Sequence, residues 1–260
     1  MKKKFLSLIL AATSSFAVRA DLPENWSTNV SGALSAPGTN QPPLLVYFTA
    51  SWCGPCKLMT RTTLTDAAVT QALAGVDHVA VDFDEHTDLA ARHGVDAVPT
   101  FLLLSAAGET DRSTGFRPVA DFLDWLTNGI AKAQEDSRRR AAATQDLAEV
   151  DQLLGSRETN STRIAAGKLF ELCAGHDNAL VPAAVARLKK LAGRDPAVVL
   201  EGLNDTRLAC RIQTANALRS IIGDSFDVDP WGDPAALRVA VGQWQVKLAR
   251  RETDSEKQAP

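Results

Sequence analysis

The sequence predicts an α/β domain, with a mixed central sheet flanked by helices, followed by an all-α domain. Short, almost wholly apolar runs such as Leu44–Phe48 alternate with helically spaced segments in the first half, as strands do in a sheet covered on both faces. After Asp146 no β-rich run is longer than Val198–Leu200, so the second half reads as helices. Between the halves the composition shifts to Gln-Glu-Asp-Ser-Arg-Arg-Arg-Ala-Ala-Ala, a charged helical connector rather than a flexible linker. At 260 residues, 45% of them hydrophobic and 23% charged, the chain can bury a core for each domain.

Taken in order, Lys2 to Lys4 precede an apolar run from Phe5 to Leu10, and small residues lead to Ala17-Val-Arg-Ala20. That order predicts a secretory signal peptide over residues 1–20, cleaved near Ala20. Its apolar part ends at Val18, short of the ~20 residues that span a bilayer. A periplasmic or otherwise secreted protein, soluble after cleavage, is expected. Leu44–Phe48 is the first strand, and a helix broken near Thr65 runs from the cysteines to Leu73, stopped by Gly75. Val79–Phe83 is a second strand, Thr87–His93 a short helix ended by Gly94, and Thr100–Leu104 a third strand. Ala107-Gly108 makes a turn into an edge strand over 109–116. Apolar residues at 119, 122, 125, 126 and 130 then have helical spacing. This first domain covers 21–130 and the connector 131–145. A helical domain follows over 146–250, with helices at 146–154, 161–174, 180–192, 196–203 and 207–222. The polar tail 251–260 is expected to be disordered. With 28 basic against 31 acidic residues, the chain has no cationic excess for a phosphate backbone, so nucleic acid is not an expected partner.

Chemistry concentrates at Trp52-Cys53-Gly54-Pro55-Cys56-Lys57, between a buried strand and a helix. At a helix N-terminus, free N–H groups and the macrodipole favour a thiolate and lower the Cys53 pKa from ~8.5 towards ~7. Gly54 permits the tight turn, and Pro55 occupies the first helical turn, where its missing N–H removes no bond. Cys53 is then the attacking sulfur and Cys56 the resolving one. A zinc site needs further ligands, yet there is no second Cys-x-x-Cys and no closely spaced pair among His78, His86, His93 and His176, so no metal or cofactor is expected.

Phe48-Thr-Ala-Ser-Trp-Cys-Gly-Pro-Cys-Lys57 together with Val98-Pro99-Thr100 resembles the thioredoxin family, over about residues 40 to 130. The resemblance implies the thioredoxin fold and thiol–disulfide exchange with protein substrates. It implies a cis Pro99 beside Cys53 and a Val98 backbone that pairs with an extended substrate peptide. It also assigns Trp52, Gly54, Pro55 and Lys57 as supporting residues, and Gly108 and Gly115 match family turn positions. One departure stands out: where the family carries a buried acid, six residues before the first cysteine, this chain has Tyr47. With Cys-Lys-x-Met, Thr65-Asp66 and the segment Val69 to Leu73, the chain is similar to the periplasmic thioredoxin-like domains of thiol–disulfide interchange proteins. A reducing or isomerising role is implied, which calls for a membrane electron donor.

The helical half, in Glu201-Gly-Leu-Asn-Asp205 and the helix to Arg219, resembles a HEAT-type repeat. Residues 146–175 form a looser copy at an offset of 48, which equates Ile164 with Ile212 and Gly175 with Gly223. Phe226 to Ala235 and Val241 to Trp244 resemble the closing cap of such arrays, with Trp231 and Trp244 expected in the core or cap. Stacked helices commonly offer a protein-binding face, so a protein partner is one expectation and a packing module the other. The offset places Cys173 ~16 Å along the axis from Cys210, which disfavours a bridge and leaves both as buried small hydrophobes. The alternative function for the whole chain is a non-catalytic binding or scaffold protein that keeps the fold without turnover.

Overall fold

The computed structural model describes residues 22–258 except 24, 31–36 and 157; the expected signal peptide and its cleavage region lie outside them. The chain divides into two compact units, Met1–Arg140 and Ala141–Pro260.

In the first unit, strands β1 (Leu44–Thr49), β2 (Asp77–Asp82), β3 (Thr100–Ser105) and β4 (Gly108–Thr114) form a sheet of order β2-β1-β3-β4. β1 pairs in parallel with β2 and antiparallel with β3, and β4 closes the edge antiparallel to β3. Because strand side chains alternate, β1 feeds two cores. Leu45 and Tyr47 join Phe101, Leu103, Phe122 and Leu126 on one face. Val46 and Phe48 join Val81, Leu89, Leu102 and Leu104 on the other.

The helix after the cysteines is divided, as its Thr65 break suggests. It consists of α1 (Gly54–Leu58), a π-helical turn over Met59–Thr63, and α2 (Ala67–Leu73). Asp66 starts α2 by accepting the N–H groups of Ala68 and Val69 at 2.9 and 3.4 Å, the bond pattern of an N-cap. α3 spans Thr87–Arg92. α4 is a single 37-residue helix, Val119–Gly155, that runs through the whole expected connector. Strong helix formers, with no Gly or Pro from Lys132 to Ala143, let the helix propagate without a stop. Within it Gly129 lies close against β3, since a Cβ there would come within 2.9 Å of Leu103 Cδ2, and that side-chain end would have to shift.

The second unit holds α5 (Thr159–Cys173), α6 (Leu180–Arg194), α7 (Pro196–Leu200), a 3-10 turn over Glu201–Asn204, α8 (Leu208–Ile222) and α9 (Pro234–Gln258). Leu169, Leu188, Val199, Leu203, Leu218 and Trp244 share its core. Asp195 caps α7 through the Val198 N–H at 3.1 Å, and Gly223, at φ +85°, ends α8. α9 extends into the stretch that its polar composition assigns to a tail. The 48-residue equivalence does not extend to detail, because Gly175 lacks the positive φ of Gly223 and Ile164 is 44% exposed. Trp244 is buried against Phe226, whereas Trp231 is 68% exposed. Pro230, just before it, is buried and its carbonyl accepts from Arg211 Nε at 2.8 Å.

Cys173 and Cys210 are buried and unpaired. They form no bridge, as the sequence expects, and α5 and α8 pack on each other. Burial pushes both thiols up to about 12.

Candidate active site

β1 delivers the chain to a tight turn in which the Cys53 N–H donates to Ala50 O at 3.1 Å. Cys53 is the N-cap of α1, in extended conformation at φ −79° and ψ 107°, with Pro55 in the first turn. That placement turns the first helical N–H groups towards its sulfur. The Cys56 N–H donates to Cys53 Sγ at 3.1 Å. Gly54 is exposed, with nothing within 4 Å of the position a Cβ would take.

Cys53 and Cys56 are joined by a disulfide with Cα atoms 5.2 Å apart. Both are nearly inaccessible, at 2% and 1% exposure, and pack with Ala50, Phe83 and Val98. The Val98–Pro99 peptide bond is cis. Val98 O lies 3.5 Å from Cys53 Sγ, so this loop stands beside the first sulfur. Two bonds anchor it: the Gly115 N–H donates to Pro99 O at 2.8 Å, and the Thr100 hydroxyl donates to Ala97 O at 2.8 Å. Gly115 holds φ +88° and Gly108 φ +112°, conformations that glycine adopts without steric cost.

Trp52 is 64% exposed, and its indole N–H donates to Asp84 Oδ2 at 2.7 Å. Asp84 lies just beyond β2, where its own N–H donates to Asp82 Oδ1 at 2.9 Å. The large aromatic beside Cys53 is thus held by an acid 32 residues away, which no local spacing reveals. Phe116, next to Gly115, is a second exposed aromatic. Lys57 follows Cys56 in α1 and is half-buried.

Behind Cys56, Tyr47 is fully buried and stacks on Phe101 at 4.4 Å between ring centroids. Its hydroxyl donates to Cys56 O at 3.4 Å. Burial holds this phenol above its ordinary value, partly offset by the hydroxyls of Thr49 and Thr60. Thr60, in the π-helical turn, is a contact the sequence did not single out. Among the described residues, no three His, Cys, Asp or Glu side chains converge on a metal-sized site.

The thioredoxin family's sequence profile matches residues 23–128. The chain is 35% identical over 85 residues to a thioredoxin from Mycoplasma genitalium, covering 33% of this chain and 80% of that one. It is 30% identical over 88 residues to a thioredoxin from Rickettsia felis, covering 34% and 82%. A solution structure of a thioredoxin from Thermus thermophilus aligns at 33% identity over 40% of this chain and 84% of the other, with a TM-score of 0.36. A disulfide spanning the first turn of a helix, set within an 85-residue stretch that is 35% identical to a thioredoxin and covers 80% of its length, makes this chain a thiol–disulfide oxidoreductase and a member of the thioredoxin family.

Proposed function

We propose that the protein is an exported enzyme that reduces or isomerises disulfides in protein substrates, with Cys53 attacking and Cys56 resolving. The carrying observation is the asymmetry of the two sulfurs. Cys53 Sγ accepts from the Cys56 N–H and lies beside Val98 O. In the reduced enzyme the Cys53 thiolate attacks a substrate disulfide and releases one substrate thiolate. Cys56 then displaces the second, closing the internal disulfide. The Val98 backbone pairs with the extended substrate peptide, and Trp52, Gly54, Pro55, Lys57 and Pro99 shape the surface around Cys53.

Export rests on the charged, apolar and small-residue order of residues 1–20. A reducing role rests on the Gly-Pro dipeptide, as in thioredoxins poised near about −270 mV. In an oxidising compartment such an enzyme draws electrons from a membrane donor, and the helical unit serves as the face that docks a substrate or redox partner. Trapping with a Cys56→Ala variant in cell-envelope extract tests the reading: protein mixed disulfides through Cys53 are expected, and their complete absence would remove it. Periplasmic fractionation with N-terminal sequencing tests export, and a potential near about −120 mV would reverse the direction.

A further inference from the structure

We propose that the outer face of α9 docks on the same face of a second copy of this chain, antiparallel and crossing at Gly242, to form a homodimer. The inference goes beyond the exchange reading and uses none of the residues around Cys53.

α9 is apolar on two faces. Leu237, Val241, Trp244 and Leu248 are buried in the core of the helical unit, the single stripe that a surface helix needs. At ~3.6 residues per turn, Ala235, Val239, Gly242, Val246 and Ala249 fall within about 80° of one another, on the side facing away from that core. Val239 and Val246 are 60% and 53% exposed, and Ala235 and Ala249 are exposed with them. A surface helix ordinarily carries charged and polar side chains there. Gly242 sharpens the point, because a mid-helix glycine costs about 1 kcal/mol against alanine. Among the described residues nothing lies within 4 Å of the position its Cβ would take. The bare backbone thus serves no packing inside one copy, whereas it lets a second helix come close.

Two features select a second copy over an unrelated helix. The first is spacing, which is nearly symmetric about Gly242: Val239 and Val246 stand one turn to either side, and Ala235 and Ala249 two turns. An antiparallel crossing at Gly242 therefore sets Val239 against the partner's Val246 and Ala235 against the partner's Ala249, each contact made twice, as a two-fold axis requires. The second is charge. The lead-in to α9 carries Asp227, Asp229 and Asp233 beside the exposed Trp231, whereas the charged residues from Pro234 to Arg250 are all cations, Arg238, Lys247 and Arg250. Arg238 lies by its own Asp233, and the other two gather at the far end. Antiparallel packing puts the acidic, aromatic entry of each helix beside the cationic end of the other, and parallel packing would bring like charges together. One helix pair buries less than the ~1,200 Å² of a standard interface, so association in the micromolar range is expected.

The test is sedimentation velocity of the full chain in its oxidised form over a concentration series, with urea denaturation of each variant as the check of folding. The wild type should pass from monomer to dimer in the micromolar range. Val239→Glu and, separately, Gly242→Leu alter positions that face open space in one copy, so their urea midpoints should not fall. Each should weaken dimerisation about tenfold or more, the first by burying an unpaired charge and the second by holding the backbones apart. Orientation is read by mixing Val239→Cys and Val246→Cys proteins under a mild oxidant: they should cross-link to each other faster than either does to itself. A chain that stays monomeric into the millimolar range, a dimer indifferent to both substitutions, as one held by another segment would be, or faster cross-linking of Val239→Cys to itself would each overturn the inference.

Discussion

The four cysteines are almost equally hidden, with Cys53 and Cys56 at 2% and 1% exposure and Cys173 and Cys210 at 1% and 0%, yet the two units give them opposite chemistry. Cys53 caps a helix and accepts the N–H of Cys56. Cys173 is the last residue of its helix, where the macrodipole opposes an anion, and burial raises it to about 12. Cys210 is surrounded by the packed faces of α8 and the 3-10 turn, its sulfur 3.8 Å from Gly202 O, and it too stands at about 12. Burial alone therefore does not make a thiol reactive or inert. The backbone groups that face the sulfur decide, because only they can solvate a thiolate once water has gone.

The largest expected contrast is catalytic. Cys53→Ser should reduce insulin-disulfide reduction to the uncatalysed rate, while a Cys173→Ala, Cys210→Ala double variant retains the wild-type rate; a loss in the double variant breaks the comparison. Reactivity comes next. At pH 8, thiols held at about 12 carry about a thousandfold less thiolate than free cysteine. Oxidised native protein should therefore show almost no labelling, and Cys173 and Cys210 should appear on unfolding. Appreciable native labelling would mean that the helical core opens readily.

Packing around the inert pair gives the third prediction. A Cβ on Gly202 would lie 2.5 Å from both Phe170 Cε1 and Thr214 Oγ1. Gly202→Ala should therefore destabilise the helical unit by about 1–3 kcal/mol in urea denaturation, with insulin reduction intact in the absence of denaturant. The smallest effect concerns the ion pairs beside Cys210. Arg207 holds the Asp205 carboxyl down from 3.8 to about 2. A depressed carboxylate pKa contributes stability above the unfolded value and loses it as pH falls through the folded one. Stability of about 1–2 kcal/mol should thus fade between pH 3.8 and about 2, by denaturant titration. Asp205→Asn should flatten that limb.

Much of the first unit was legible because its signals are local. The apolar run at Leu44, the helix break near Thr65 and the Gly108 turn each express themselves within a few residues, and so does the Cys-Gly-Pro-Cys turn. The helical unit was legible as helices but less so as a repeat. Its periodicity places each apolar stripe, yet it does not determine how α5 meets α8 or that Ile164 stays 44% exposed. Trp231 is expected in the core or cap by its size, yet it is 68% exposed.

By itself, the sequence determined the order of strands and helices, the two sulfurs and their spacing, and the absence of an acid at Tyr47. Backbone propensity and side-chain period act over single turns and strands, and those are complete in the chain as written. Only the tertiary structure decided that Asp84 holds Trp52, that the Tyr47 hydroxyl reaches Cys56 O, and that one helix runs unbroken through the connector. Each of these depends on a distance between elements remote in sequence, or on where a helix meets no stop, and such distances are set when the cores close and not before.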